Sequence, residues 1–146
     1  MKILKEKFFE EITLFGGALF YVFVIFLAHL IGEKNYAFKL LIGLFAIYFV
    51  AFIIRLVYFK ERPKKVKHSN LLERLDASSF PSVHSARIIF LSISFIMLYS
   101  KDLVVVSLLF LLNLAVVYSR IYLLKHDLID VIGGILLGIA CAIIII

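Results

Sequence analysis

Five long apolar runs separated by polar stretches organise the chain: residues 13–31, 40–59, 83–99, 103–122 and 128–146. A membrane-crossing helix needs about 20 mostly apolar residues. The pattern therefore predicts an all-α integral membrane protein, a single-domain bundle of about five transmembrane helices. The third run is the shortest, at about 17 residues. Few ionisable groups interrupt the runs: His29 in the first, Arg55 in the second, Arg87 at the start of the third, Arg120 near the end of the fourth and Asp130 near the start of the fifth. Ahead of them, residues 1–12 mix Lys2, Lys5 and Lys7 with Glu6, Glu10 and Glu11. Ile3, Leu4, Phe8, Phe9 and Ile12 fall near helical spacing there. This predicts an N-terminal amphipathic helix lying on the membrane interface. The connections are short turns at 32–35 and 100–102 and one long polar loop, residues 60–82, the candidate active-site loop.

Composition removes the soluble alternative. Hydrophobic residues are 64% of the 146, against roughly 45–50% in soluble domains, and a globule this small has no interior to hide them. The formal charge of +6 would suggest nucleic acid as a partner of a soluble protein. In a bilayer it points to anionic headgroups and phosphorylated substrates, with no nucleic acid. One cysteine, Cys141, excludes an intramolecular disulfide, and its place in an apolar run makes it a small hydrophobe.

Five spans put the N-terminus, the long loop and the connection between the fourth and fifth runs on one side. That side collects Arg55, Arg62, His84, Arg87, Arg120, His126 and Asp130. An ionisable group inside a span is costly and marks function by default. A single arginine there is explained by snorkelling. Several on one side, beside histidines, are not. Converging guanidinium forks repel unless an anion sits between them, and phosphate fits the fork. Two histidines beside a phosphate supply an attacking imidazole and a proton donor. His126 and Asp130, at i and i+4, fall on one helix face, where a carboxylate fixes the imidazole tautomer. A plain helix-start ion pair is the alternative. In Ser78-Ser79-Phe80-Pro81-Ser82-Val83-His84-Ser85, Pro81 disfavours helix before it and Ser82 is a good N-cap. His84 then sits in a first helical turn, where free N–H groups hold anions. A plain cap with an incidental histidine is the alternative.

Together these residues resemble the type 2 phosphatidic acid phosphatase superfamily. Its pattern is Lys-x6-Arg-Pro, then Pro-Ser-Gly-His, then Ser-Arg-x5-His-x3-Asp. This chain has Arg55, six residues, then Arg62-Pro63; it has Pro81-Ser82-Val83-His84; and it has Ser119-Arg120, five residues, His126, three residues and Asp130. Arg55 replaces the first-motif lysine, exchanging a point donor for a fork. Val83 replaces a glycine, which narrows the site if that glycine serves close backbone approach. The resemblance implies that His126 is the nucleophile, Asp130 its orienting carboxylate and His84 the general acid. It implies a phosphate clamp of Arg55, Arg62 and Arg120, completed by Ser82 and the Val83 N–H. It also implies catalysis without a metal or other cofactor, and the sequence has no carboxylate or Cys/His set suited to one. The implied activity is hydrolysis of a lipid phosphate or isoprenoid diphosphate through a phosphohistidine. The alternatives are a phospho-headgroup transferase with the same chemistry and a non-catalytic anionic-lipid-binding membrane protein.

Arg87 lies outside the motifs and reads as a snorkelling arginine, with a pocket-lining role as the alternative. Gly133, Gly134 and Gly138 read as a helix-packing stripe. Lys60, Lys64, Lys65 and Lys67 read as solvated or headgroup-facing charges. His29 and His68 have no assigned role. Relatives commonly have six spans, so this chain is expected to lack one N-terminal span. Outside the motifs the site face carries Lys2, Lys5, Lys7, Lys60, Lys64, Lys65, Lys67, Arg74 and Lys125, the other face Lys34, Lys39 and Lys101. The positive-inside rule alone puts the site in the cytoplasm. The family places it outside, and the expectation follows the family, because substrate binding itself explains a basic face.

Overall fold

The computed structural model describes residues 2–65, 69–99 and 101–146, without the side chain of Lys2. Lys67, His68 and Ser100 lie outside the described residues. The described chain is helical, with no strands: α1 (Lys2–Thr13), a 3-10 turn (Leu14–Gly16), α2 (Ala18–Leu30), α3 (Lys34–Val57), α4 (Leu71–Ala77), α5 (Val83–Leu98), α6 (Leu103–Tyr122) and α7 (Leu128–Ile145).

Three of these, α3, α6 and α7, are each long and apolar enough to cross a membrane. At most a third of the most apolar window of each is buried within the protein. Their outward faces carry Phe45, Phe49, Leu108, Phe110 and Leu136, all exposed. Without aqueous burial to hide such faces, the solvent they fit is lipid.

The first and third expected spans take different forms. The first is cut by the 3-10 turn, so α2 has 13 residues, and α1 and α2 meet at 44°. Only as a pair do they meet the length and apolarity of one crossing. The break falls at Gly16-Gly17. A Cβ on Gly16 would stand 2.9 Å from Val116 Cγ1 and 3.0 Å from the His84 carbonyl oxygen, so the turn lies directly on α5 and α6. The third, α5, has 16 residues and forms the centre of the bundle, packed on α7, α6, α3 and α2. Phe90 and Ala86 on α5, with Tyr21, Leu40 and Ile47, are fully buried. A helix sheathed by other helices need not meet the bilayer thickness along its whole length.

The N-terminal segment is helical, as α1, and it is fastened to α6: the Phe9 ring packs against Tyr118 and Tyr122, with centroids 5.4 and 4.3 Å apart. The loop 60–82 is not wholly irregular. It holds α4, whose start is a reciprocal cap: Asn70 Oδ1 accepts from the Glu73 N–H, and the Glu73 carboxylate accepts from Asn70 Nδ2.

The α5–α7 contact uses the glycine stripe. A Cβ on Gly134 would lie 2.3 Å from the Ser82 carbonyl oxygen, and one on Gly138 would lie 2.5 Å from that of Ala86. Only a missing side chain lets the two backbones approach this closely. Cys141 is buried beside them as a small hydrophobe.

Candidate active site

Ser82 caps α5, its hydroxyl accepting from the Ser85 N–H at 3.5 Å and from the Ser85 hydroxyl at 3.0 Å. The cap places Val83 and His84 in the first turn. The Ser82 N–H donates to the Asp130 carbonyl oxygen at 2.9 Å, tying the second motif to the third.

The third motif is built by a helix end and a helix start. Leu124 takes φ +53, the left-handed conformation that lets the chain turn off α6. The N–H groups of Lys125 and His126 then return to the Arg120 carbonyl oxygen, at 3.1 and 3.2 Å. His126 therefore precedes α7 and does not share a helix face with Asp130. Asp127 caps α7 in a reciprocal box: Asp127 Oδ1 accepts from the Asp130 N–H at 3.1 Å, and Asp130 Oδ2 accepts from the Asp127 N–H at 2.9 Å. The same Oδ2 stands 3.7 Å from His126 Nδ1, and Asp130 is completely buried.

Its other oxygen, Oδ1, accepts from Lys60 Nζ at 2.8 Å; Lys60 also donates to Asp127 Oδ2 at 2.6 Å. Lys60 is not the solvated loop charge that the sequence suggests. Desolvation works against its ammonium, but the two carboxylates outweigh it and hold its pKa above the usual lysine range. Burial pushes the His126 imidazole below its ordinary range, and Arg120 and Arg62 push the same way, while Asp130 pulls against them.

Arg55, Arg62, Val83, His84, Arg120 and His126 line one cavity of about 550 Å³, with Glu10, Thr13, Tyr48, Asp76, Arg87 and Lys125 among its other walls. Ser82 and Asp130 stand behind this lining, both fully buried. Arg55 donates to the carbonyl oxygens of Leu75 and Pro81, both at 3.2 Å. It thereby fastens α4 and the second-motif loop to α3. Arg62 donates to the Asp76 carbonyl oxygen, and Arg120 to Thr13 Oγ1 at 2.9 Å. Arg87 is 3% exposed and therefore not snorkelling. Its Nη1 donates to the Tyr48 hydroxyl at 2.5 Å and its Nη2 faces His84 Nδ1 at 3.3 Å. The Nε atoms of Arg55, Arg62, Arg87 and Arg120 are all buried without a hydrogen-bond partner. Four guanidinium groups lining one cavity, each with a buried Nε that has no partner, are the electrostatic outline of an anion.

A family model described as the PAP2 superfamily matches residues 36–146. The chain belongs to the PAP2 superfamily. Its fold is similar to that in the crystal structure of Aquifex aeolicus LpxE, with a TM-score of 0.75 and 23% identity over 97% of this chain and 84% of that one. No curated protein sequence matches the chain significantly. The family supports a phosphatase, and the long apolar helices fit a membrane protein. The family match begins at Tyr36, so α1 and α2 lie outside it. Thr13 and Glu10 reach this PAP2 cavity from there, and no motif announces them. The Gly16-Gly17 break is the available signal, since it marks where the chain turns onto the site. Tyr48 lies seven residues before Arg55, two helical turns along the same face of α3.

Proposed function

We propose that the protein is a metal-independent lipid phosphate phosphatase that works through a phosphohistidine on His126. The observation that carries this reading is the cavity itself. It joins a histidine from each of two motifs to four arginines whose buried Nε groups have no hydrogen-bond partner.

Asp130, anchored by Lys60 and the Asp127 N–H, faces His126 Nδ1 and favours a hydrogen there, which leaves the Nε2 lone pair for attack. Arg55, Arg62 and Arg120, with Ser82 and the Val83 N–H, hold the phosphoryl oxygens as negative charge develops. Attack forms the N–P bond as the P–O bond to the lipid breaks, and His84 protonates the departing oxygen. Water then attacks phosphorus and gives its proton to His84. The N–P bond breaks, and inorganic phosphate leaves.

A lipid-borne phosphate suits the surroundings. A second cavity of about 200 Å³ shares Tyr48, Arg55, Asp76 and Val83 with the first and is otherwise walled by Ala51, Phe52, Leu72 and Leu75. Such a wall accepts the apolar part of a substrate whose phosphate sits on the arginines. Phosphatidic acid, phosphatidylglycerol phosphate and polyprenyl diphosphates present the required group. We place the site on the extracytoplasmic face, after the superfamily's usual arrangement.

The test is phosphate release from these three lipids in chelator by wild type and His126→Ala. Release by the wild type and loss in a folded His126→Ala support the reading. Full release by His126→Ala overturns it. A labelled phospho-lipid product in place of free phosphate would make the enzyme a transferase. For sidedness, Ser69→Cys in a Cys141→Ala background is labelled by an impermeant reagent in intact cells only if the site faces outwards.

A further inference from the structure

Arg87 belongs to no motif, yet its guanidinium lies against a motif histidine. Arg87 Nη2 is 3.3 Å from His84 Nδ1, while Nη1 is held at 2.5 Å by the Tyr48 hydroxyl. The guanidinium also lies 5.5 Å from the centre of the Tyr48 ring, so tyrosine and arginine fix each other from two helices. Arg87 is 3% exposed, so the surrounding helices hold its guanidinium in this contact.

A guanidinium carries donors only and stays protonated, so it can bond Nδ1 only if Nδ1 offers a lone pair. A neutral imidazole with its lone pair at Nδ1 carries its hydrogen at Nε2. An imidazolium would set an Nδ1–H against the arginine donors. The other titratable groups acting on the ring are Arg120, Lys125 and His126. Glu10 and Asp76 are the acidic residues on the same cavity wall.

We infer that Arg87 is a positioning residue that holds His84 in the neutral Nε2–H tautomer in the ligand-free enzyme. The histidine pair is then set in opposite senses: Asp130 favours a hydrogen on Nδ1 of His126, and Arg87 forbids one on Nδ1 of His84. A consequence follows that rests on the reading of His84 as general acid. Loss of a proton from neutral imidazole leaves an anion, which is out of reach in water. The acid must therefore be the imidazolium, and its second proton must arrive with the anion whose charge offsets Arg87. His84 takes one proton from solvent at Nδ1 as phosphate binds and passes its Nε2 proton to the leaving oxygen. The attacking water returns a proton to Nε2, and the Nδ1 proton is released to solvent when phosphate departs and Arg87 again faces a lone pair. The site is thus armed only when it is occupied.

The tautomer is read directly by long-range ¹H–¹⁵N correlation spectra of the full chain, labelled at its four histidines and held in nanodiscs. His84→Asn identifies the His84 signals. The neutral Nε2–H pattern is expected for wild type and for Arg87→Lys, which keeps a donor-only cation. Arg87→Met is expected to show a tautomer mixture or the Nδ1–H form. An Nδ1–H or doubly protonated His84 in the free wild type overturns the assignment, as does an unchanged pattern in a folded Arg87→Met. Orthovanadate is expected to convert wild-type His84 to the doubly protonated pattern. Retention of the neutral Nε2–H form with vanadate bound would overturn the general-acid reading while leaving Arg87 as the tautomer-setting residue.

Discussion

The Ser82 N–H donates to the Asp130 carbonyl oxygen at 2.9 Å, so one backbone hydrogen bond holds the second motif against the third. It depends on Gly134, whose missing side chain leaves space for the Ser82 carbonyl oxygen. Residues far apart in the sequence are brought to one cavity by a helix–helix contact that tolerates no Cβ.

Gly134→Ala places a methyl carbon 2.3 Å from the Ser82 carbonyl oxygen, and backbone cannot swing aside as a side chain does. The substitution is expected to force α5 from α7 at a cost of about 1–3 kcal/mol, as overpacking does. Thermal unfolding in detergent measures the loss. Because the displaced segment carries Ser82 and His84, phosphate release is expected to fall by more than the folded fraction does.

Lys60→Met removes the cation that bridges Asp127 and Asp130. Asp130 stays buried but loses the bond that holds Oδ1, and its aim at His126 Nδ1 loosens. A fall in kcat of roughly 10–100-fold, about 1.4–2.7 kcal/mol of barrier, is expected, with KM changed little because Lys60 does not line the cavity. An unchanged kcat would show that Asp130 is set by its cap alone.

The pH profile has a definite sign. His126 attacks as the neutral imidazole, and burial, Arg120 and Arg62 hold its pKa below the ordinary histidine range. Protonation thus switches the nucleophile off at a lower pH than for a free imidazole. The acid limb of kcat/KM is expected below about pH 6.5, the unperturbed histidine value. Arg120→Gln removes one of the groups depressing it and is expected to move that limb upwards. A limb unmoved by this change, in a variant that still turns over, would contradict the electrostatic account.

Arg55→Lys restores the residue type usual in the superfamily motif but cannot reach both the Leu75 and the Pro81 carbonyl oxygens with one compact ammonium. It is expected to loosen α4 and raise KM while keeping the charge. Faster proteolysis within residues 60–82, with the rest of the bundle protected, is the accompanying structural sign.

The apolar runs predict most of the helices because lipid imposes a simple pattern on length and polarity. α6 begins and ends where its apolar run does. The departures have local causes. The first run is broken by Gly16-Gly17, which packs onto His84 and Val116, and hydropathy averages over such a break. α4 is short and polar, legible only through its Asn70–Glu73 cap. The motif residues are legible through their spacing, and six of the eight line the cavity, with Ser82 and Asp130 just behind. Lys60 and Arg87 are not legible in the same way. A lysine in a loop and an arginine near a helix start look alike whether they face water or a carboxylate and an imidazole. Only the folding of α7's cap towards Lys60, and of α3's Tyr48 towards Arg87, separates the two cases.

The central claim is covalent, and one measurement addresses it most directly. Wild-type protein mixed with ³²P-labelled phosphatidic acid, or whichever lipid of the panel it turns over, and quenched within a turnover is expected to carry acid-labile, base-stable phosphate. Peptide mapping is expected to place that phosphate on His126, and His126→Ala is expected to carry none. Turnover with no trapped phosphate on His126, together with release retained by His126→Ala, would contradict the account.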